Sequence, residues 1–312
     1  MGTTRPFRFA AELHRPLDGR TWVESFQELE QLGYSTVFFP DHFHDGPGPL
    51  AATAAAAVAT TTLNVGILVL DCDYRHPVVL ARELATIDHL SSGRLEVGLG
   101  AGWKASDYRQ AGIPMDRPGI RVDRMIEHTA ILKGLWGERP FSFQGAHYQI
   151  DDCDGTPKPF TPGGPKILIG GGAPRVLRFA GQTADIVGVN ASIHSGEIDT
   201  AAAQDGLASA IDHKIDWVRA GAGDRFDEIE LNAWLAVASV TDDAYGFAAA
   251  VAVGFDSTPE QVLESPLTLI GSPSEIGDRL EERRQRWGYS YHVIPGDNVA
   301  EFTPIVAALT GR

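Results

Sequence analysis

An eight-fold β/α barrel is the fold class this sequence predicts, and three observations predict it. Short apolar runs alternate with helical stretches along 312 residues, and eight of them read as strands. Two of those runs end in residues with site-like chemistry. Val37-Phe38-Phe39 stops at Pro40-Asp41-His42, and Arg94-Leu95-Glu96-Val97-Gly98-Leu99 breaks into Gly100-Ala101-Gly102-Trp103. The first run, Phe9-Ala10-Ala11-Glu12, lacks the glycine turn that a doubly wound dinucleotide-binding sheet places after its first strand. A chain of this length buries roughly three quarters of its unfolded surface, enough for a large α/β barrel spanning 1–312 as one unit.

The elements follow in order. Residues 7–13 are the first strand. A helix over 21–32 carries Trp22, Phe26 and Leu29 on one face, and Gly33 stops it. Residues 36–39 are the second strand, and Pro47-Gly48-Pro49 leads into an alanine-rich helix over 50–59. Residues 63–70 form the third strand. Pro77 opens a helix bearing Leu80, Leu84, Ile87 and Leu90, and 94–99 is the fourth strand.

The rhythm then slackens, which predicts an insertion after the fourth strand, at about 104–165. Within it Val122, Met125, Ile126, Thr129, Leu132 and Trp136 share a helical face. Residues 141–150 alternate imperfectly, as a surface hairpin would, and 151–165 read as a Pro-, Gly- and Asp-rich loop. The pattern resumes with strands at 166–169, 185–189 and 230–237. Gly170-Gly171-Gly172-Ala173-Pro174 opens the helix after the fifth strand, with Pro174 suited to its first turn. Residues 241–266 have no clear assignment. Ser272-Pro273-Ser274-Glu275 has capping-box spacing and starts a helix that ends near Gly288. A strand over 290–294 and a helix over 302–309 close the chain.

Composition narrows the function. Lys and Arg number 26 against 41 Asp and Glu, a formal charge of −15. Such a surface repels phosphate backbones and anionic lipid, so neither nucleic acid nor membrane is the expected partner. Any phosphate must be held locally, by backbone amides or one arginine. Cys72 and Cys153 are the two cysteines. They form no paired framework, which favours a reduced, cytoplasmic setting. Met1-Gly2-Thr3-Thr4-Arg5-Pro6 has no apolar signal core, and Pro6 breaks the myristoylation pattern.

Barrel chemistry gathers at the C-terminal ends of strands. That rule collects Glu12 and His14, then Asp41, His42 and His44, then Asp71 and Asp73. Gly100, Gly102 and Trp103 follow the fourth strand, the triple glycine the fifth, Asn190 the sixth and Asp297 the eighth. Asp41-His42-Phe43-His44-Asp45 carries three readings. His42 and His44 share a strand face and could ligate a metal. Asp41 and His42 could only cap a loop. Or His42 is a pocket residue, with Asp41 fixing its tautomer or accepting a cofactor hydrogen bond. Gly170-Gly171-Gly172-Ala173-Pro174-Arg175 could be a flexible turn or a phosphate cradle at a helix start. Trp103 could pack in the core or wall a flat ligand.

With Phe39-Pro40-Asp41-His42-Phe43, Leu68-Val69-Leu70-Asp71 through Arg75-His76-Pro77, Gly93 through Trp103, Arg121 to Arg124, Gly145-Ala146-His147-Tyr148, and Gly170-Gly171-Gly172 through Ala184-Asp185, the chain resembles the luciferase-like monooxygenase superfamily, and within it the branch that uses the deazaflavin coenzyme F420. The resemblance implies a bacterial-luciferase-like barrel, often a homodimer, with a flavin-like ring at the strand rim. It implies a non-proline cis peptide at Leu68–Val69 behind the ring, Asp41 and His42 beside the ring edge, and cofactor phosphate on amides near Gly171, Gly172, Ala173 and Arg175. Gly100 and Gly102 fall where the ring needs close approach. Relatives that oxidise glucose 6-phosphate carry a glutamate where Trp103 stands and a lysine after the sixth strand, so sugar-phosphate oxidation is not implied.

The resulting expectation is an F420-dependent oxidoreductase moving a hydride between the deazaflavin and a small organic substrate, such as a C=C or C=N compound. His42 is the proton carrier, Asp41 its orienting acid, and Trp103 the substrate wall. The alternative within redox chemistry is a monooxygenase using reduced FMN and oxygen. A metal-dependent barrel hydrolase and a catalytically silent flavin binder are the rivals from other classes.

Overall fold

The computed structural model describes residues 5–43 and 46–312. Its centre is a closed barrel of eight parallel strands. They are β1 (Arg8–Glu12), β2 (Thr36–Phe39), β3 (Asn64–Asp71), β4 (Leu95–Gly100), β7 (Lys166–Gly171), β8 (Ile186–Val189), β9 (Glu230–Trp234) and β12 (Tyr289–Pro295). The remaining strands lie outside the barrel. β5 (Phe141–Gln144) and β6 (Gln149–Cys153) form an antiparallel hairpin, and β10 (Val237–Val240) and β11 (Thr268–Gly271) a parallel pair. All eight expected strands are barrel strands, each within a few residues of its expected limits.

Around the barrel run α1 (Trp22–Gln31), α2 (Pro49–Ala59), α3 (Pro77–Ser91), α5 (Pro118–Leu135), α6 (Pro174–Thr183), α8 (Ala208–Ala222), α11 (Pro273–Trp287) and α12 (Val299–Leu309). The short α4 (Ala105–Ala111), α7 (Thr200–Asp205) and α10 (Pro259–Glu264), and the longer α9 (Ala244–Phe255), sit in connections. The capping box expected at Ser272 and Glu275 starts α11, and a second one, Thr21 with Glu24, starts α1. The insertion between β4 and β7 holds α4, α5 and the hairpin. The unassigned 241–266 segment is α9 and α10, whose alanine-rich and polar faces carry little periodic signal.

Strand faces divide the interior into two chemistries. Outward residues pack under the helices. Inward residues form stacked layers, as barrel geometry demands. The lowest layer is ionic: Arg8 bonds Glu96 at 2.6 Å and Glu230 at 2.6 Å, and the Tyr291 hydroxyl donates to Glu96 at 2.9 Å. Above it lies an apolar plug of Ala10, Phe38, Leu168, Ile186 and Val293. The plug closes the bottom, so any ligand space is at the C-terminal rim. No helix among the described residues is long and apolar enough to cross a membrane.

Candidate active site

The rim holds a cavity of about 450 Å³, within the range of small-molecule sites. Strand ends build it. Asp41 and His42 follow β2, Leu68, Val69 and Asp71 end β3, and Gly100, Gly102 and Trp103 follow β4. Gly171, Gly172 and Ala173 come from the end of β7, and Asn232 and Trp234 from β9. Ten of the eleven residues singled out for the ring, the phosphate and the proton transfer, Asp41 and His42 among them, therefore line one cavity. Arg175 does not. It is exposed and pairs with Asp123 on α5, beyond the cavity lining. His44 and Asp45, and Met1 to Thr4, lie outside the described residues.

The Leu68–Val69 peptide is cis. The ladder between β3 and β4 shifts register across it, between Ile67 and Leu70. Val69 then turns its side chain inward against β4 and β7. A Cβ on Gly98 or Gly100 would meet that side chain at 2.9 or 2.7 Å, and one on Gly170 at 3.3 Å. The β4 glycines thus make room for Val69 first. The close approach expected of Gly100 is to a neighbouring side chain as well as to the cavity.

His42 is placed by an acid the sequence reading did not pick. Its Nδ1 lies 2.7 Å from Oδ2 of Asp107, a buried residue on α4. The Trp103 ring meets the imidazole edge-on, with centroids 5.4 Å apart. Asp41 is held elsewhere. The Arg75 guanidinium donates to both its oxygens, at 2.5 and 2.9 Å, and the Asp71 amide donates to it at 3.1 Å. The expected pairing of Asp41 with His42 is corrected on this point: α4 folds its Asp107 back over the strand ends, while Asp41 is committed to Arg75. A seven-residue helix gives no periodic signal long enough to reveal this from sequence.

Electrostatics behind that wall are dense. Burial pushes the Asp71 carboxyl up to about 7, and the Asp73 and Asp41 charges add to the effect. Asp73 is compensated by Arg124 at 2.5 Å and accepts from the Tyr108 hydroxyl at 2.9 Å. Gly102 is left-handed at φ +72°, and a Cβ there would run into the Tyr108 hydroxyl and Asp71. Only glycine allows the chain to turn there over those groups. Across the mouth, Glu12 raises the tendency of His14 to protonate through a 3.2 Å contact.

The triple glycine is strand as far as Gly171, and α6 starts at Pro174 with Ala173 as its N-cap. Lys214 of α8 reaches under this turn. Its ammonium donates to the Gly172 carbonyl at 2.7 Å and to Asp205 at 2.6 Å. Asp205 in turn accepts from the Ser192 amide at 2.7 Å. A Cβ on Gly172 would strike the backbone of Asn190, Ala191 and Ser192. The turn after β7 and the loop after β8 are thus locked together. Free N–H groups at the start of α6 border the cavity, a place suited to an anion.

Asn232 is the other residue the sequence reading passed over. Only 1% exposed, it lines the cavity, and among the described residues neither its Oδ1 nor its Nδ2 has a hydrogen-bond partner. Such a buried amide costs about 1–3 kcal/mol. Its signal was an amide on the inward face of an otherwise apolar strand, Leu231-Asn232-Ala233-Trp234.

Comparison with known proteins decides the family. The model of the luciferase-like monooxygenase family matches residues 1–216. The chain belongs to the luciferase-like monooxygenase family. The pyrimidine monooxygenase RutA of Enterobacter sp. (strain 638) is 36% identical over 111 residues, 35% of this chain and 30% of that protein. The match to RutA thus spans less than a third of the relative's length. Among solved structures, the coenzyme F420-dependent tetrahydromethanopterin reductase of Methanopyrus kandleri superposes with a TM-score of 0.75 at 19% identity, covering 98% of both chains. The monooxygenase RslO1 of Streptomyces bottropensis superposes with a TM-score of 0.71 at 20% identity, covering 97% of this chain and 98% of that one. At those identities the superpositions speak for the barrel alone. Among the described residues no group of three or more His, Cys, Asp or Glu side chains is placed to hold a metal ion.

Proposed function

We propose that this member of the luciferase-like family is a flavin-dependent monooxygenase acting on a small organic molecule with reduced FMN and oxygen. The observation that carries this reading is the family match together with the stretch similar to RutA, a pyrimidine monooxygenase. It displaces hydride transfer with F420 from first to second place. The rim fits a planar tricyclic ring: a cavity of adequate size, the Val69 bulge as backing, and free amides at the start of α6 for a phosphate. In this reading Leu68, Val69, Gly100 and Gly102 bound the ring, and Gly171, Gly172 and Ala173 face its phosphate tail, with Arg175 at the outer rim.

Bound flavin would supply the reducing electrons with which oxygen is activated. The chain's own groups do the rest. His42 holds or releases a proton at Nε2, Asp107 fixes its ring, and Trp103 keeps water from that side. Asp41, neutralised by Arg75, shapes the polar wall. The F420 reading keeps second place because the same imidazole and backing would serve a deazaflavin. A reduced, cytoplasmic setting suits the two free cysteines, and a homodimer through the exposed Val58, Val79 and Leu90 of α2 and α3 completes the proposal.

Titrating the protein with FMN and with F420, followed by fluorescence, separates the two cofactors. Oxygen uptake with reduced FMN and a panel of heterocycles then separates a working monooxygenase from a silent binder. Tighter F420 binding, with no oxygen uptake, would replace the first reading by the second. His42→Ala should cut turnover about 100-fold or more while FMN affinity stays within a few-fold.

A further inference from the structure

Asn232 stands at the level where three inward positions meet. Strand register puts Gly170 beside Gly188 and Gly188 beside Asn232. The two glycines put no side chain against the amide on that side. On the ionic layer below, Arg8, Glu96, Glu230 and Tyr291 satisfy one another. Asn232 is two residues above Glu230 on the same face, and it has no such partner among the described residues. Trp234, two residues further on, continues that face into the cavity as an aromatic surface. The strand order places β9 four strands from β3 in the eight-strand circle, so the amide faces Leu68–Val69 across the barrel.

We infer that the Asn232 carboxamide is the recognition group for a lactam edge, a ring N–H beside a ring C=O. A planar carboxamide presents one acceptor and one donor side by side, and a cis amide in a ring presents the complementary pair. A carboxylate, which only accepts, or an ammonium, which only donates, would leave one of the two Asn232 atoms unmatched. Removing either hydrogen bond leaves a buried polar atom unpaired, which is how such sites discriminate. Flat rings are favoured because Trp234 stacks rather than surrounds. Two molecules carry this edge: an aromatic lactam substrate, and the pyrimidinedione end of the flavin-like ring itself. The first source rests on the flavin reading of the site, and the second tests it.

The test uses the full chain, with and without FMN, and two probes of nearly equal shape, 2-quinolone and N-methyl-2-quinolone. Two variants report on the amide. Asn232→Leu removes both polar atoms at similar volume. Gly188→Ala adds a methyl at ordinary contact distance, 3.7 Å from the Asn232 Oδ1, with no clash against its other neighbours. The expected result is 2-quinolone binding at least tenfold tighter than its N-methyl form, with the preference lost in both variants. The melting temperature of Asn232→Leu should not fall, because a ligand-binding amide left unpaired burdens the free protein. If instead FMN affinity drops about tenfold in both variants while 2-quinolone is indifferent, the lactam edge is the cofactor's own. If neither probe nor FMN responds, or if Asn232→Leu melts lower with unchanged binding, Asn232 is structural and the inference is overturned. Should FMN fail to bind the wild-type protein at all, the monooxygenase reading falls, and 2-quinolone binding to the bare protein judges Asn232 separately.

Discussion

At the scale of single residues the placement of His42, the proposed proton carrier, depends on Asp107. Its Oδ2 lies against Nδ1 of His42 and so fixes the plane of the imidazole. Asp107→Asn keeps the shape but replaces a charged acceptor by a neutral amide. Turnover should fall by about 10- to 100-fold with FMN affinity nearly unchanged. Steady-state oxygen uptake with reduced FMN checks this, and unchanged turnover removes Asp107 from the proposed proton path. His42, Trp103 and Asp41 were legible because they stand at strand ends in a barrel, where geometry gathers side chains from distant positions. Asp107 and Asn232 were not. The first comes from a short helix whose docking depends on packing, and the second hides within a strand, where a lone polar residue usually has a partner.

Among the elements, the junction of β7, α6 and α8 is the one that the proposed phosphate site depends on. Lys214 is buried, yet it holds the Gly172 carbonyl and Asp205 together. Burial lowers its pKa and Asp205 opposes that shift. Lys214→Met should cost about 1–3 kcal/mol, since the Gly172 carbonyl and Asp205 lose their donor while Asp205 keeps access to water. Denaturant unfolding measures the loss. FMN binding by the folded variant should weaken as well, because the amides of this turn are no longer fixed; an unchanged FMN affinity would detach this junction from the cofactor. The triple glycine could be read from sequence as a turn before a helix. Its actual division, with two glycines in the strand and the third against the 190–192 backbone, follows from how the next loop packs.

For the whole molecule, acid lability follows from two buried histidines. Burial pushes His292 down to about 3 and His128 to about 4, against 6.5 in the unfolded chain. Between those values the unfolded state binds more protons, so stability falls as pH drops below about 6.5, by up to about 1.4 kcal/mol per pH unit for each histidine. Asp71 works in the opposite sense. Its raised pKa makes the folded state hold an extra proton from about pH 4 to 7, which offsets one histidine over that window. Unfolding free energies from pH 4 to 8 should therefore fall toward acid, and between about pH 4 and 6.5 more gently for His292→Leu than for wild type. A slope of the same steepness in both would show that His292 does not set it. Assembly is testable at the same scale. If α2 and α3 form the proposed dimer face, Leu90→Glu should shift the protein toward monomer in light scattering without lowering its melting temperature by more than a few degrees.

The sequence by itself determined the barrel, because alternation of apolar strand and amphipathic helix is a local pattern that each segment carries independently of the others. It also determined the rim as the place for chemistry, since strand ends are marked by the change from apolar residues to Asp, His, Gly and Trp. Family membership lay within its reach for the same reason: ordered motifs survive as local strings. Only the tertiary structure decided which acid meets His42, why Val69 needs glycines beside it, and that Asn232 is left without a partner among the described residues. Those are relations between residues tens to hundreds of positions apart, and they exist only once the closed barrel brings the strand ends within a hydrogen bond of one another.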